Sequence, residues 1–208
     1  MKKIFVTGIG TDVGKTVVSA ILTEALEADY WKPVQAGDLD NSDSIKVERL
    51  ISNNKSVIHT EGVKLNSPMS PHASAAIDGV EIKLSEIVLP ETNNNLVVEG
   101  AGGLMVPLND KDLIIDLIKY LDLAVVLVSQ NYLGSINHTI LSIDALKNRG
   151  IKIFGIIFNG DENIETEKYI LNYANLKCLG RVKQHQAVNK EVVLSYKSLF
   201  SALDEAEG

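Results

Sequence analysis

A chain of 208 residues, 45% hydrophobic and 23% charged, is long enough to bury one sizeable core and is expected to form a single domain over 1–208. Its formal charge of -7, with Lys2-Lys3 as the longest basic run, argues against a nucleic-acid partner. The lone cysteine, Cys178, excludes an internal disulfide or a thiolate zinc cluster and is expected in the core, and the apolar runs are too short to span a membrane, so a soluble cytoplasmic protein is expected.

The first apolar run, IFVT at 4–7, leads into TGIGTDVGKT at 7–16. Gly8, Gly10 and Gly14 allow backbone amides to turn inward, and the helix expected next offers a positive dipole end to anions. Lys15 can then reach terminal phosphates and the Thr16 hydroxyl can ligate magnesium. Five residues separate Gly8 from Gly14, one more than in the usual phosphate-binding loop. Val17, Val18, Ile21, Leu22, Ala25 and Leu26 recur at helical spacing, which predicts a helix ending near Ala28.

WKPV at 31–34 reads as the end of a second strand, with Lys32 held extended by Pro33 and facing the ligand edge. Residues 35–95 are more polar and read as loops and short helices inserted over one edge of the fold. Within them Asp43, in NSDSI, suits either a helix first turn or a magnesium site. LVVE at 96–99 predicts a buried strand closed by Glu99, a charge that needs a partner there, followed by Gly100-Ala101-Gly102-Gly103. AVVLVS at 124–129 and IFGIIFN at 153–159 complete a set of continuously apolar strands, the mark of parallel strands buried on both faces. Between them Ile136, Ile140, Ile143 and Leu146 predict a helix over 134–150, capped by Ser135 and stopped by Gly150. The alternation implies an α/β fold: an open, mostly parallel sheet with helices on both faces, of the P-loop NTPase type, binding ligands beyond the carboxyl ends of its strands. His59, His72, His138 and His185 lack metal-site spacing and are expected as surface or capping groups.

TGIGTDVGKT, WKPVQAG, NSD, SPH at 70–72, VEGAGG at 98–103, LGSINH at 133–138 and FNGD at 158–161 together resemble the dethiobiotin synthetase family, in the family's order and with its longer loop. The resemblance implies closure of a ureido ring on 7,8-diaminopelargonic acid with CO2 and MgATP, through a carbamate and a carbamic-phosphoric anhydride. It implies that Lys15 and the amides of Asp12, Val13, Gly14, Thr16 and Val17 cradle the phosphates. Thr16, Asp43 and Glu99 would hold magnesium, Lys32 would be the active-site lysine, and Thr11 would sit over the reacting phosphate. Gly100, Ala101, Gly102, Asn159 and Gly160 would complete the nucleotide site, with Asn159 reading adenine. Lys32, Ala36, Ser70 and Pro71 would contact the substrate. Gly134, Ser135, Ile136 and Asn137 would hold the substrate carboxylate across a homodimer interface.

Three departures bear on these expectations: Ala36 lacks the hydroxyl many relatives carry there, Asp12 stands where glutamate is frequent, and Gly180-Arg181-Val182-Lys183 lacks an expected proline beside the base. A regulatory ATPase of the partitioning or cell-division type would share the sheet, but would carry an extra lysine early in the loop that Gly8-Ile9-Gly10-Thr11-Asp12 lacks. A corrinoid-precursor amidotransferase would need a further domain and a nucleophilic cysteine, and a small kinase would not account for Glu99 in VEGAGG.

Overall fold

The computed structural model describes residues 1–201 and 203. The strands are β1 (Lys3–Gly8), β2 (Asp29–Trp31), β3 (Val34–Ala36), β4 (Val63–Leu65), β5 (Leu96–Gly103), β6 (Ala124–Gln130), β7 (Ile153–Asn159) and β8 (Cys178–Val182). Six of them form one sheet in the order β2-β5-β1-β6-β7-β8, with every pairing parallel. The helices are α1 (Lys15–Ala25), α2 (Asp43–Leu50), α3 (Pro71–Asp78), α4 (Ile114–Tyr120), α5 (Ser135–Asn148), α6 (Ile164–Ala174), α7 (Lys190–Ser195) and α8 (Lys197–Ser201).

The period of two in a strand sends neighbouring side chains into two separate cores. Phe5, Val98, Leu127 and Phe158 pack on one face with Ile115 of α4, Ile143 of α5 and Ile170 of α6. Val6, Val97, Val126 and Ile157 pack on the other with Ile21 of α1, Val47 of α2, Val193 of α7 and Phe200 of α8. Both layers must be apolar, which is why these strands carry no polar alternation; each buried Val, Leu, Ile or Phe contributes about 1.5–3 kcal/mol.

Chain order reverses around β1, whose neighbours are β5 on one side and β6 on the other. Such a reversal opens a crevice beyond the strands' carboxyl ends. Over its β2–β5 side lies the stretch that starts at residue 34, containing α2, α3 and the small parallel pair of β3 with β4. Gly37 closes this wall: its φ of +70 suits glycine, and a Cβ there would lie 2.5 Å from Pro68.

Several local expectations are corrected. WKPV is not one strand: β2 stops at Trp31 in the main sheet and β3 begins at Val34 in the small one, so Lys32 and Pro33 form the break between them. α1 ends at Ala25, short of Ala28. Gly134, with φ 101, is the N-cap of α5, and Ser135 is its buried first residue. Glu99 lies inside β5, which runs on to Gly103, rather than at its end. Cys178 is exposed at the start of edge strand β8 and is not core. The expected stop at Gly150 holds, with φ 67 just beyond α5.

Candidate active site

β1 ends at Gly8, the loop turns, and α1 begins at Lys15 with Gly14 as its N-cap at φ 90. A Cβ on Gly14 would meet the Asn159 amide at 2.2 Å, so only glycine lets this loop sit against the end of β7. Asn159 Nδ2 donates to the Val13 carbonyl at 3.0 Å, bracing the loop. Lys15 is buried, and its Nζ donates to the Gly10 carbonyl at 2.8 Å, folded back over the space its own loop encloses.

Beside the loop is a compact ionic cluster. Lys32 is 3% exposed and Glu99 is fully buried. Lys32 Nζ lies 2.5 Å from Asp43 Oδ2 and 3.2 Å from Glu99 Oε1, and also donates to the Gly100 carbonyl at 3.2 Å. Thr16 Oγ1 donates to Glu99 Oε1 at 2.8 Å, and the Tyr30 hydroxyl donates to Glu99 Oε2 at 2.9 Å. The Asp43 amide, at the start of α2, donates to Gln35 Oε1 at 3.3 Å, and Ser42 Oγ caps that helix by accepting from Ile45 N. Asp43 is thus both a helix first-turn acid and a partner of Lys32.

Neighbouring charges set the protonation of this cluster. Burial alone would lower the Lys32 pKa, but the carboxylates of Glu99 and Asp43 outweigh it and raise the pKa above the ordinary lysine value. Lys15 is different: burial wins over the attraction of Glu99, and its pKa is lowered. Asp43 is pulled below the usual carboxylate range because the Lys32 charge overcomes the cost of its burial. Burial, reinforced by the Glu99 charge, lifts Tyr30 well above the ordinary phenol value and keeps it a neutral donor.

A cavity of about 850 Å³ opens over the cluster. It is lined by Thr11, Asp12, Gly14, Lys15, Thr16 and Val17 from the loop and α1, and by Lys32, Asp43, Glu99, Ala101 and Gly102 beside them. Ala36, Ser70 and Pro71 form its far wall with Pro68 and Met69. One concave site therefore collects most of the residues named from sequence. Val13, Gly100, Asn159 and Gly160 lie behind or beside it, the last two at the end of β7. Gly134, Ser135, Ile136 and Asn137 are not on this cavity; they form the exposed start of α5, apart from buried Ser135.

Sequence reasoning missed Tyr30, Gln35, Asp38 and Lys46. Tyr30 was detectable in principle, being two residues from Lys32 and so on the same side of an extended segment. Asp38 and Lys46 pair at 2.8 Å on the cavity rim, a contact between a turn and α2 that no local pattern announces.

Thr16, Asp43 and Glu99 present only hard oxygens; the two carboxylates flank a cation, the Lys32 ammonium, and Thr16 hydrogen-bonds Glu99 beside it. That donor set fits magnesium, which takes one or two carboxylates and shares the rest of its shell with phosphate and water. Among the described residues no cluster of three or more His, Cys, Asp or Glu side chains forms a protein-only metal cage. No helix among them is long and apolar enough to cross a membrane.

A phosphate-binding loop between β1 and α1, with a buried lysine–carboxylate cluster at the switch point of a parallel sheet, defines a P-loop nucleotide-binding protein. Solved structures of this fold agree. The cell division ATPase MinD of Pyrococcus furiosus superposes with a TM-score of 0.63 at 13% identity, covering 98% of this chain and 100% of that one. A ParA family ATPase from Chlorobium tepidum gives 0.57 at 15% identity, covering 99% and 95%. At such identities the likeness shows the fold alone. A family model described as an AAA domain matches residues 2–192. Sequence similarity is far stronger to enzymes named ATP-dependent dethiobiotin synthetase BioD. The one from Christiangramia forsetii is 58% identical over 96% of each chain, and that of Cytophaga hutchinsonii is 53% identical over 94% of this chain and 95% of its own. That of Brucella ovis is 47% identical over 86% and 85%. The chain belongs to the ATP-dependent dethiobiotin synthetase family.

Proposed function

We propose that the protein is an ATP-dependent ligase that closes the ureido ring of dethiobiotin, using 7,8-diaminopelargonic acid, CO2 and ATP and releasing ADP and phosphate. The observation that carries this reading is Lys32, buried and charged between Asp43 and Glu99, on the same cavity wall as Lys15 and Thr16 of the phosphate-binding loop. A switch ATPase needs the loop; a synthetase also needs a cation at the place where carbamate and phosphoryl group meet. Family membership favours the second reading over the partitioning or cell-division type.

The chemistry asks for positioning and charge neutralisation more than for covalent help. One substrate amine takes up CO2 as a carbamate, a carbamate oxygen attacks the γ-phosphorus, and the second amine displaces phosphate from the mixed anhydride to close the ring. Lys32, kept protonated by its two carboxylates, supplies a fixed positive charge for the carbamate and for the phosphoryl group in flight. Lys15 and the amides from Asp12 to Val17 grip the phosphates, and Thr11, which lines the cavity, would sit over the reacting one. Thr16, Asp43 and Glu99 would hold magnesium, which when bound neutralises phosphate charge. Asn159, with Gly160, takes the base. Ala36, Ser70 and Pro71 form an apolar to weakly polar wall suited to the methylene chain of the diamine.

The substrate carboxylate belongs at the start of α5, where the first turn contains no acid and its dipole end is open. Since these residues are not on the cavity of their own chain, they serve the site of a second copy in a homodimer. Exposed Tyr132, Leu133 and Ile136 flank this turn and supply the apolar surface such an interface needs. A cytoplasmic location fits these substrates.

The test is direct. The protein incubated with 7,8-diaminopelargonic acid, bicarbonate and MgATP should yield dethiobiotin and ADP in equal amounts by mass spectrometry. ATP hydrolysis that ignores the diamine and responds to a protein or membrane partner would overturn the proposal.

A further inference from the structure

The turn joining β7 to α6, residues 159–163, is held from more directions than a connection of its length needs. The Gly160 amide donates to the Val182 carbonyl at 2.7 Å, and the Gly160 carbonyl accepts from Arg181 Nη1 at 3.2 Å. The Asp161 carbonyl accepts from Asn131 Nδ2 at 2.9 Å. At the centre is Glu167 of α6, a nearly buried carboxylate. Its Oε1 accepts from Asn131 Nδ2 at 2.6 Å and from the Asn163 amide at 3.0 Å, and its Oε2 pairs with the Arg181 guanidinium. The Arg181 guanidinium also lies 5.8 Å from the centre of the Phe158 ring.

We infer that the Glu167–Arg181 pair is a positioning unit for nucleotide selection, fixing the turn so that Asn159 presents its amide to the base at one height and angle. The inference rests on the proposed role of Asn159 in binding the base and adds what sets its geometry. Burying a carboxylate is costly unless it is fully paired, and here its partners are the Asn163 amide of the turn that follows Asn159 and two side chains, Asn131 and Arg181, that themselves donate to that turn. The planar fork of Arg181 suits this work because two of its nitrogens, at a fixed separation, reach the Gly160 carbonyl and the Glu167 carboxylate. Arg181 lies in the same segment, two residues before Lys183, which stands at the position of the expected proline, so a charged clamp takes part in a segment that lacks a rigid ring.

The experiment compares ATP with CTP as phosphoryl donor in the full-length enzyme, recording KM and kcat for each. Arg181→Ala should raise KM for ATP about tenfold and shrink the ATP-over-CTP ratio of kcat/KM by a similar factor, while kcat at saturating ATP and KM for the diamine stay within about twofold. If Arg181→Ala does not fold, judged by circular dichroism, Arg181→Lys is measured instead and should shift the ratio in the same direction by a smaller factor. An unchanged ratio in a folded Arg181 variant overturns the inference. Asn159→Ala separates the two layers. If it reduces the ratio while Arg181→Ala does not, only the positioning role falls; if it leaves the ratio unchanged, the base contact itself lies elsewhere and both fall.

Discussion

The two ends of the proposed site are built on opposite principles. Where β1 meets β5, Lys32, Asp43, Glu99, Thr16 and Tyr30 satisfy one another inside a single chain, and Glu99 is wholly shielded from solvent. The start of α5 carries no such ionic cluster: Gly134, Ile136 and Asn137 are exposed, Leu133 is fully so, and no acid occupies the first turn. Paired charges keep their geometry without help, whereas an open helix end becomes a strong carboxylate site only when a covering surface excludes water. In the proposed homodimer, this difference would leave phosphoryl chemistry to the single chain and substrate anchoring to a pair of chains.

The largest expected effect breaks the enclosed end. Lys32→Ala should lower turnover by a factor corresponding to about 3 kcal/mol or more, while MgATP still binds by calorimetry. Wild-type turnover would remove Lys32 from the mechanism. Breaking the open end should look different. Leu133→Asp should give a monomer by sedimentation and raise KM for the diamine about tenfold or more, with MgATP affinity unchanged. A wild-type protein that is monomeric and fully active at assay concentration would refute the shared site.

A smaller change probes the lining of the cluster. Tyr30→Phe removes the buried donor to Glu99 Oε2, and the loss of a hydrogen bond to a charged group should cost about 1.5–3 kcal/mol of stability in a urea titration. A neutral result would show that Glu99 is oriented by Thr16 and Lys32 alone. The subtlest prediction concerns pH. Because burial lowers the pKa of Lys15, it sheds its proton below the ordinary value of 10.5, whereas Lys32, raised by Glu99 and Asp43, keeps its own. ATP affinity should therefore begin to fall on the alkaline side below pH 10.5, before the Lys32 cluster loses charge. For stability the sign is the reverse at the acid end: Asp43, lowered from 3.8, contributes fully above that value and loses its contribution as pH falls through its lower folded value.

Much of this organisation could be read from residue patterns. Continuous Val and Ile runs marked the four central strands because those strands are covered on both faces, and a Gly-Lys-Thr ending after such a run marked the phosphate loop. Errors gathered where tertiary pairing overrides local preference. Lys32-Pro33 looked like the end of one strand because Pro33 extends its neighbour, yet the chain leaves one sheet there and enters another. Glu99 looked like a strand end because a carboxylate is costly inside; three donors, from Thr16, Tyr30 and Lys32, make its interior position tolerable. Ser135 looked like a cap because serine caps well, but Gly134 can take the positive φ that the turn demands.

By itself the amino-acid sequence determined the parallel α/β layering, the anion-binding loop and the family, since each depends on short-range spacing and the chemistry of adjacent residues. Tertiary structure alone decided which distant side chains share a field: that Lys32 sits between carboxylates from α2 and β5, that Tyr30 holds the Glu99 carboxylate while Gln35 holds the Asp43 backbone, and that Glu167 reaches Arg181 beside the turn after β7. The reason is physical. Burial and Coulomb energies depend on distances through space, which the order of residues along the chain does not contain until the strands have paired.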